Sequence, residues 1–219
     1  MDYVFHFEIP LRSFSMLAYG AVLTIFISIL SVIAGTFIGV LGALGRISRN
    51  KLLFIASSAY VELFRNTPFL LQLYFVYFIL SSAGLNLEPT TAGVLALSIN
   101  VGAYITEIIR AGIQSINKNQ KEAGYSLGMT YMQCFRWVIL PPALKNIAPA
   151  LSNQFIATVL ASSIVSVIAA KELAYAASIL EARTYRSFEI YLIVIIMYFI
   201  LVEGFSVLLR YVNRKAFRS

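Results

Sequence analysis

Glu122–Pro141, EAGYSLGMTYMQCFRWVILP, cannot cross a bilayer, yet it lies between hydrophobic stretches that can. It is too polar, and too often interrupted by glycine, to supply the roughly 20 apolar residues that a membrane helix needs. It therefore reads as a loop with structure of its own. Asn119, with Glu122 three positions on, predicts a capping box: the Asn side chain at the N-cap and the carboxylate at the third helical position satisfy free backbone N–H groups. Gly128 offers a helix C-terminus. The expected product is a helix of about two turns that exposes Ala123, Tyr125, Leu127 and Met129. Apolar residues on a solvent-facing loop require a cover from elsewhere.

Outward from this loop, composition sets the class. The 219 residues are 59% hydrophobic and 12% charged, a balance that belongs to an integral membrane protein. The formal charge of +7 does not point to nucleic acid, because the basic residues sit in short clusters beside apolar runs, where anionic headgroups attract them. One cysteine, Cys134, excludes an internal disulfide, and one histidine, His6, excludes a histidine-based metal cluster.

In chain order, residues 1–16 carry Tyr3, Phe5, Phe7 and Phe14 without the basic flank of a signal peptide, as expected of an interfacial segment. Spans are expected at 17–44, 52–82, 91–113, 143–169 and 190–209, with the structured loop at 117–141. Gly35, Gly39 and Gly42 give the first span a smooth face for close helix contact. Pro68 predicts a kink or break in the second, tolerable in a membrane only against protein or water. Lys171–Glu189 is mixed in charge with an apolar middle, the pattern of a helix lying on the surface. No repeat or linker divides the chain, which reads as one domain.

Five spans place the termini on opposite sides. One side collects eleven of the 17 basic residues, among them Arg46, Arg49, Lys118, Lys121, Arg210 and Arg218; the other collects Arg12, Lys171, Arg183 and Arg186. The richer side faces the cytoplasm. The loop and the C-terminus are then inside, the N-terminus and Lys171–Glu189 outside.

Charges within the spans cost on the order of 2.5–3.5 kcal/mol each at a helix centre and are expected to pair. Arg65 with Glu107, or Glu62 with Arg110, would tie the second span to the third; Glu203 has only Arg210 downstream. Asn153, Gln154, Thr158, Ser162, Ser163 and Ser166 form a polar stripe on the fourth span, and Asn100 and Tyr104 sit one turn apart on the third. Such side chains hold helices together or line a cavity. Without Ser166, and together with Asn66, Thr67 and Glu107, they are the candidate substrate path.

Glu122-Ala-Gly, Gly128 six residues after the glutamate, and Val138-Ile-Leu-Pro141 resemble the cytoplasmic-loop signature of the permease subunits of ABC importers, with Gly124 in place of an alanine and Val138 in place of an isoleucine. Glu62-Leu-Phe-Arg-Asn-Thr-Pro68, Ala103-Tyr-Ile-Thr-Glu-Ile-Ile-Arg110, and Ser162-Ser-Ile-Val-Ser166 followed by Glu172-Leu173 are similar to its polar amino acid uptake branch. The resemblance covers nearly the whole chain. It implies an all-α integral membrane protein of the type I ABC importer permease fold, with five transmembrane helices and a cytoplasmic coupling helix at Glu122, Ala123, Gly124, Tyr125 and Gly128. It further implies a bacterial inner-membrane location and a second permease subunit, a homodimer being preferred. Two cytoplasmic ATPase subunits, an extracytoplasmic binding protein and an amino acid substrate complete the set, with no nucleic acid. Where many members of the branch carry Lys-Asp, this chain has Leu160-Ala161. Loss of a cation beside the path favours a basic substrate such as arginine or histidine, because like charges repel strongly in a low dielectric. Glu107, Glu62 or Glu203 is then a candidate partner for its cation.

The chain carries no G-x-x-x-x-G-K-[ST] loop for nucleotide phosphates, so no cofactor is expected on it; ATP and Mg would sit on the ATPase partner, and the chain itself is not an enzyme. The rival reading is a secondary amino acid transporter driven by an ion gradient. The single histidine, the few spans and the lack of a visible inverted repeat weigh against it. No nucleophile–base pair suggests a membrane enzyme.

Overall fold

The computed structural model describes residues 5–216, so Tyr3 and Arg218 lie outside the described residues. Among these residues the chain is helical without strands. After a short α1 (Glu8–Arg12) come α2 (Phe14–Arg46), α3 (Lys51–Arg65), α4 (Phe69–Ser82), α5 (Pro89–Gln114), α6 (Lys118–Ser126), α7 (Tyr131–Ile168), α8 (Leu173–Thr184) and α9 (Ser187–Ala216). Four of them, α2, α5, α7 and α9, are long and apolar enough to cross a membrane, and α3 with α4 adds a fifth crossing if the bent pair is one span.

The scaffold is the seam between α2 and α5. A Cβ on Gly39 would come within 2.5 Å of Ile105, and one on Gly35 within 2.9 Å of Val101, so only glycine permits this approach. Thr106 Oγ1 donates across the seam to the Gly39 carbonyl at 3.2 Å. Above it, Ile27 of α2, Leu73 and Val76 of α4, Ala92, Ala96 and Leu97 of α5, and Val165 and Ile168 of α7 close one buried cluster.

The second span breaks at Pro68, as its sequence predicts, and α3 and α4 meet at 110°. The carbonyls freed by the break are not left bare. Gln72 Nε2 lies 2.9 Å from the Phe64 carbonyl, 3.0 Å from the Thr67 carbonyl and 2.8 Å from Thr67 Oγ1, while Asn100 Nδ2 donates to Gln72 Oε1 at 2.8 Å. A side-chain amide thus replaces the missing helical donors, the condition for irregular backbone at membrane depth.

Two expectations change. The fourth long helix begins at Tyr131, so most of the 117–141 loop is helical and the connection shrinks to a few residues around Gly128. Thr130 starts it with a capping box to Gln133, and residues 135–139 form a π-turn. Pro141 and Pro142 lack N–H groups and would press on the carbonyls four residues back, which fall within that wider turn. Second, the apolar middle of Lys171–Glu189 folds as α8 and is covered by the bundle. Leu173, Ala176, Ala177 and Leu180 are buried against Leu17 and Ala21 of α2 and Ile190 and Val194 of α9. Its alanines are small enough for backbone approach: a Cβ on Gly20 would stand 2.9 Å from the Leu173 Cα.

Candidate functional site: a protruding helix and an arginine-lined pocket

The helix α6 stands off the bundle. Its N-cap is Asn117, whose side chain accepts from the Asn119 N–H at 2.9 Å, so the cap falls two residues before the expected Asn119. Glu122 accordingly lies in the second turn and pairs with Lys118 at 3.2 Å on an exposed face; it is not a cap. The C-terminus is as expected. Gly128 has φ +77°, its N–H donates to the Tyr125 carbonyl at 3.0 Å, and the Met129 N–H donates to the Gly124 carbonyl at 3.2 Å, which together make a Schellman turn.

That turn folds the chain back and sorts its side chains. Ala123, Tyr125 and Leu127 are exposed, Leu127 by 77%. Met129, expected beside them, is half-buried and packs on the cluster of Ile116, Cys134, Ile139, Ala143 and Ile147. Gly124 is the one buried residue of α6, and a Cβ there would stand 3.0 Å from Cys134 Sγ. Glycine for alanine at this position brings the protrusion close to α7.

The second feature is a pocket of about 380 Å³ between α3, α5 and α7, lined by Arg65, Tyr104, Glu107, Ser115, Asn146 and Ile147 among others. The ion pairs expected here form differently. Glu107 binds Arg110 of its own helix, with Arg110 Nε at 2.9 Å and a second, shorter contact through Nη2, and it also meets Arg46 of α2 at 3.6 Å. Arg65 reaches Tyr104 instead, its guanidinium carbon 5.4 Å from the ring centroid. Glu62 is exposed and makes no ion pair with Arg110 among the described contacts. The local i,i+3 geometry of Glu107 and Arg110 takes precedence over a cross-helix pair. Glu203 pairs with Arg210 at 3.6 Å.

The polar candidates do not converge on one point. Asn66 and Thr67 are exposed at the helix break, and Asn100 is committed to Gln72. On α7, Thr158 and Ser162 are buried and turn their hydroxyls onto the Gln154 and Val159 carbonyls at 2.8 and 2.7 Å. Asn153 lies in a groove with Arg210 and Asn213 of α9. Ser163 borders an apolar pocket of about 360 Å³ with Leu160, Ile195, Tyr198 and Phe199.

Three structural residues escape sequence reasoning. Arg46 looks like a loop cation but turns back to Glu107. Gln72 follows Pro68 by one helical turn, a spacing that was itself the available signal. Glu172 is fully buried, accepting from Tyr198 Oη at 2.7 Å, the Tyr175 N–H at 2.8 Å and Thr24 Oγ1 at 3.2 Å, which ties α8 to α9 and α2.

Residues 35–218 match the family model described as binding-protein-dependent transport system inner membrane component. The chain is 40% identical over 208 residues to the probable glutamine ABC transporter permease protein GlnM of Bacillus subtilis, covering 94% of this chain and 96% of that one. Glutamine transport system permease protein GlnP of Escherichia coli is 36% identical over 202 residues, with 91% and 92% covered. A crystal structure described as an amino acid ABC transporter with histidines superimposes with a TM-score of 0.92 at 41% identity, over 97% of this chain and 100% of the other. The MetNI methionine ABC transporter shares the fold, with a TM-score of 0.77 at 24% identity over 93% and 97%.

Proposed function

The chain belongs to the binding-protein-dependent transport system inner membrane components, and from that premise we propose that it is the permease subunit of an ATP-driven importer for a polar amino acid. Two copies form the membrane unit. Each holds one cytoplasmic ATPase subunit on α6 and receives substrate from a binding protein on the opposite side, where the N-terminus and α8 lie.

The observation that carries this reading is the exposure of three apolar residues around the protrusion, Ala123 and Tyr125 on either side of the buried Gly124 and Leu127 at the C-cap, on a helix braced by the Gly128 turn and the Gly124–Cys134 approach. Closure of two nucleotide-loaded ATPase subunits would move that helix as a rigid body. Because α6 joins α5 to α7 through short connections, the displacement would pass to both spans and switch access from outside to inside.

For the substrate, the pocket beside Leu160 supports a basic amino acid: its described lining holds no cation that would repel one. The second reading, glutamine, is favoured by the names of the relatives GlnM and GlnP. Uptake by proteoliposomes of arginine, histidine and glutamine, each delivered by the binding protein, separates the two.

Leu127→Asp tests the docking role. The variant should insert normally but lose its ATPase subunit on co-purification, together with binding-protein-stimulated ATP hydrolysis. An intact, stimulated complex would overturn the assignment. Uptake that persists without any ATPase and collapses with an ionophore would instead make the chain a secondary transporter.

A further inference from the structure

We infer that Arg65 binds the α-carboxylate of the transported amino acid in the pocket between α3, α5 and α7, making this a site for the part that all amino acids share and not for the side chain.

The charges of the pocket lead there. Glu107, the acid on its wall, is shared between Arg110 and Arg46 and is already compensated. Arg110 also donates to Gln114 of its own helix. Arg65 makes no contact ion pair among the described residues and feels Glu107 only at longer range; its guanidinium rests over the Tyr104 ring at 5.4 Å. Three guanidinium groups against one carboxylate leave the site positive, and the one without a direct ion pair is on the pocket wall. A surplus cation over an aromatic face is poised for an incoming anion, since the guanidinium can present a paired N–H edge while its plane stays stacked on the ring.

Place and size agree. Arg65 is the last residue of α3 before the break, and it is exposed. The pocket, at about 380 Å³, falls within the roughly 300–1,000 Å³ of small-molecule sites. Beyond the arginine it is walled by Ile147, Ile108 and Ala111, with Ser115 and Asn146 at the far end, where Asn146 Nδ2 donates to Ser115 Oγ at 3.0 Å. A zwitterion with its carboxylate on Arg65 would extend its side chain along that wall. The same surplus charge disfavours Glu107 as the partner of a cationic side chain, so discrimination between side chains has to arise elsewhere, the Leu160 pocket being one place for it.

This inference rests on the reading of the chain as an amino acid permease. Its test is equilibrium binding of glutamine, histidine and arginine, each beside its α-carboxamide, to the assembled complex in nanodiscs without binding protein. The wild type should prefer the acid to the amide by about 10- to 100-fold, the range of a charge-assisted pair. Arg65→Gln should abolish the preference, and Arg65→Lys, which keeps the charge but not the fork, should retain part of it. The ratio is unmoved by a loss of active protein, so a merely structural role of Arg65 would leave it intact. Equal binding of acid and amide by the wild type, no binding at millimolar concentration, or an unchanged ratio in Arg65→Gln overturns the site. So does loss of acid binding when phosphatidylglycerol is added to phosphatidylcholine nanodiscs, which would give the guanidinium to a lipid phosphate. A complex that imports none of the three amino acids fails at the earlier step; one that imports them and ignores the carboxylate fails only at this one.

Discussion

Two short helices outside the long spans, α6 with 9 residues and α8 with 12, differ in composition, α6 polar and α8 mostly apolar, and the fold treats them oppositely. In α8 four apolar residues are buried by α2 and α9, and Glu172 at its start is enclosed with three donors. In α6 only Gly124 is buried, while Tyr125 and the C-cap residue Leu127 stay outside. The first helix is completed by its own chain. The second is left uncovered by its own chain, and under the proposed function it is completed by the ATPase subunit.

The contrast breaks most visibly with one substitution in each helix. Ala177→Asp places an unpaired carboxylate at a site with no exposure, a cost of about 3–5 kcal/mol, and should prevent accumulation of folded protein, as read by fluorescence-detected size exclusion. The same charge in α6, Leu127→Asp, should leave the melting curve within about 0.5 kcal/mol of wild type while removing the ATPase. Glu172→Ala strands the Tyr198 and Thr24 hydroxyls and the Tyr175 N–H. It should destabilise by about 3 kcal/mol, measured as a lowered thermal midpoint in detergent, with ATPase binding retained.

A finer comparison lies in how the two helices end. Both stop at a left-handed residue, Gly128 after α6 at φ +77° and Tyr185 after α8 at φ +54°. Glycine adopts this conformation freely, whereas an L side chain costs roughly 1–2 kcal/mol. Gly128→Ala should therefore lower stability by about 1 kcal/mol, although nothing within 4 Å opposes the new methyl. Tyr185→Gly should raise it by about as much, because the ring is 88% exposed and loses little packing. Paired thermal melts of opposite sign would sharpen the comparison; shifts of the same sign would break it.

How much of this was legible in the chain follows the range of the interactions. The helix break was readable because Pro68 acts on its immediate neighbours, and the end of α6 because Gly128 does the same. The glycine face of α2 announced a close contact without naming Ile105 or Val101 as its partners. Charge pairing was not readable. Arg65, Glu107, Glu62 and Arg110 admit several matches, and the one that formed recruits Arg46 from a helix whose angle to α5 no local pattern encodes. Burial of α8 was hidden for a similar reason: Ala176 looks unremarkable until Gly20 is placed opposite it. The candidate path was legible only as a set of polar residues. Asn100 turned out to serve Gln72, and the buried hydroxyls of α7 serve their own backbone.

Cys134 has a use that its chemistry alone would not suggest. It is the sole thiol in the chain, it has no exposure, and its sulfur lies 3.8 Å from the Lys121 carbonyl, directly beneath α6. An alkylating reagent can reach it only when the packing around it opens, and α6 forms one wall of that packing. Without any engineering, the rate of that labelling in the presence and absence of nucleotide would clock how often the lever leaves its seat.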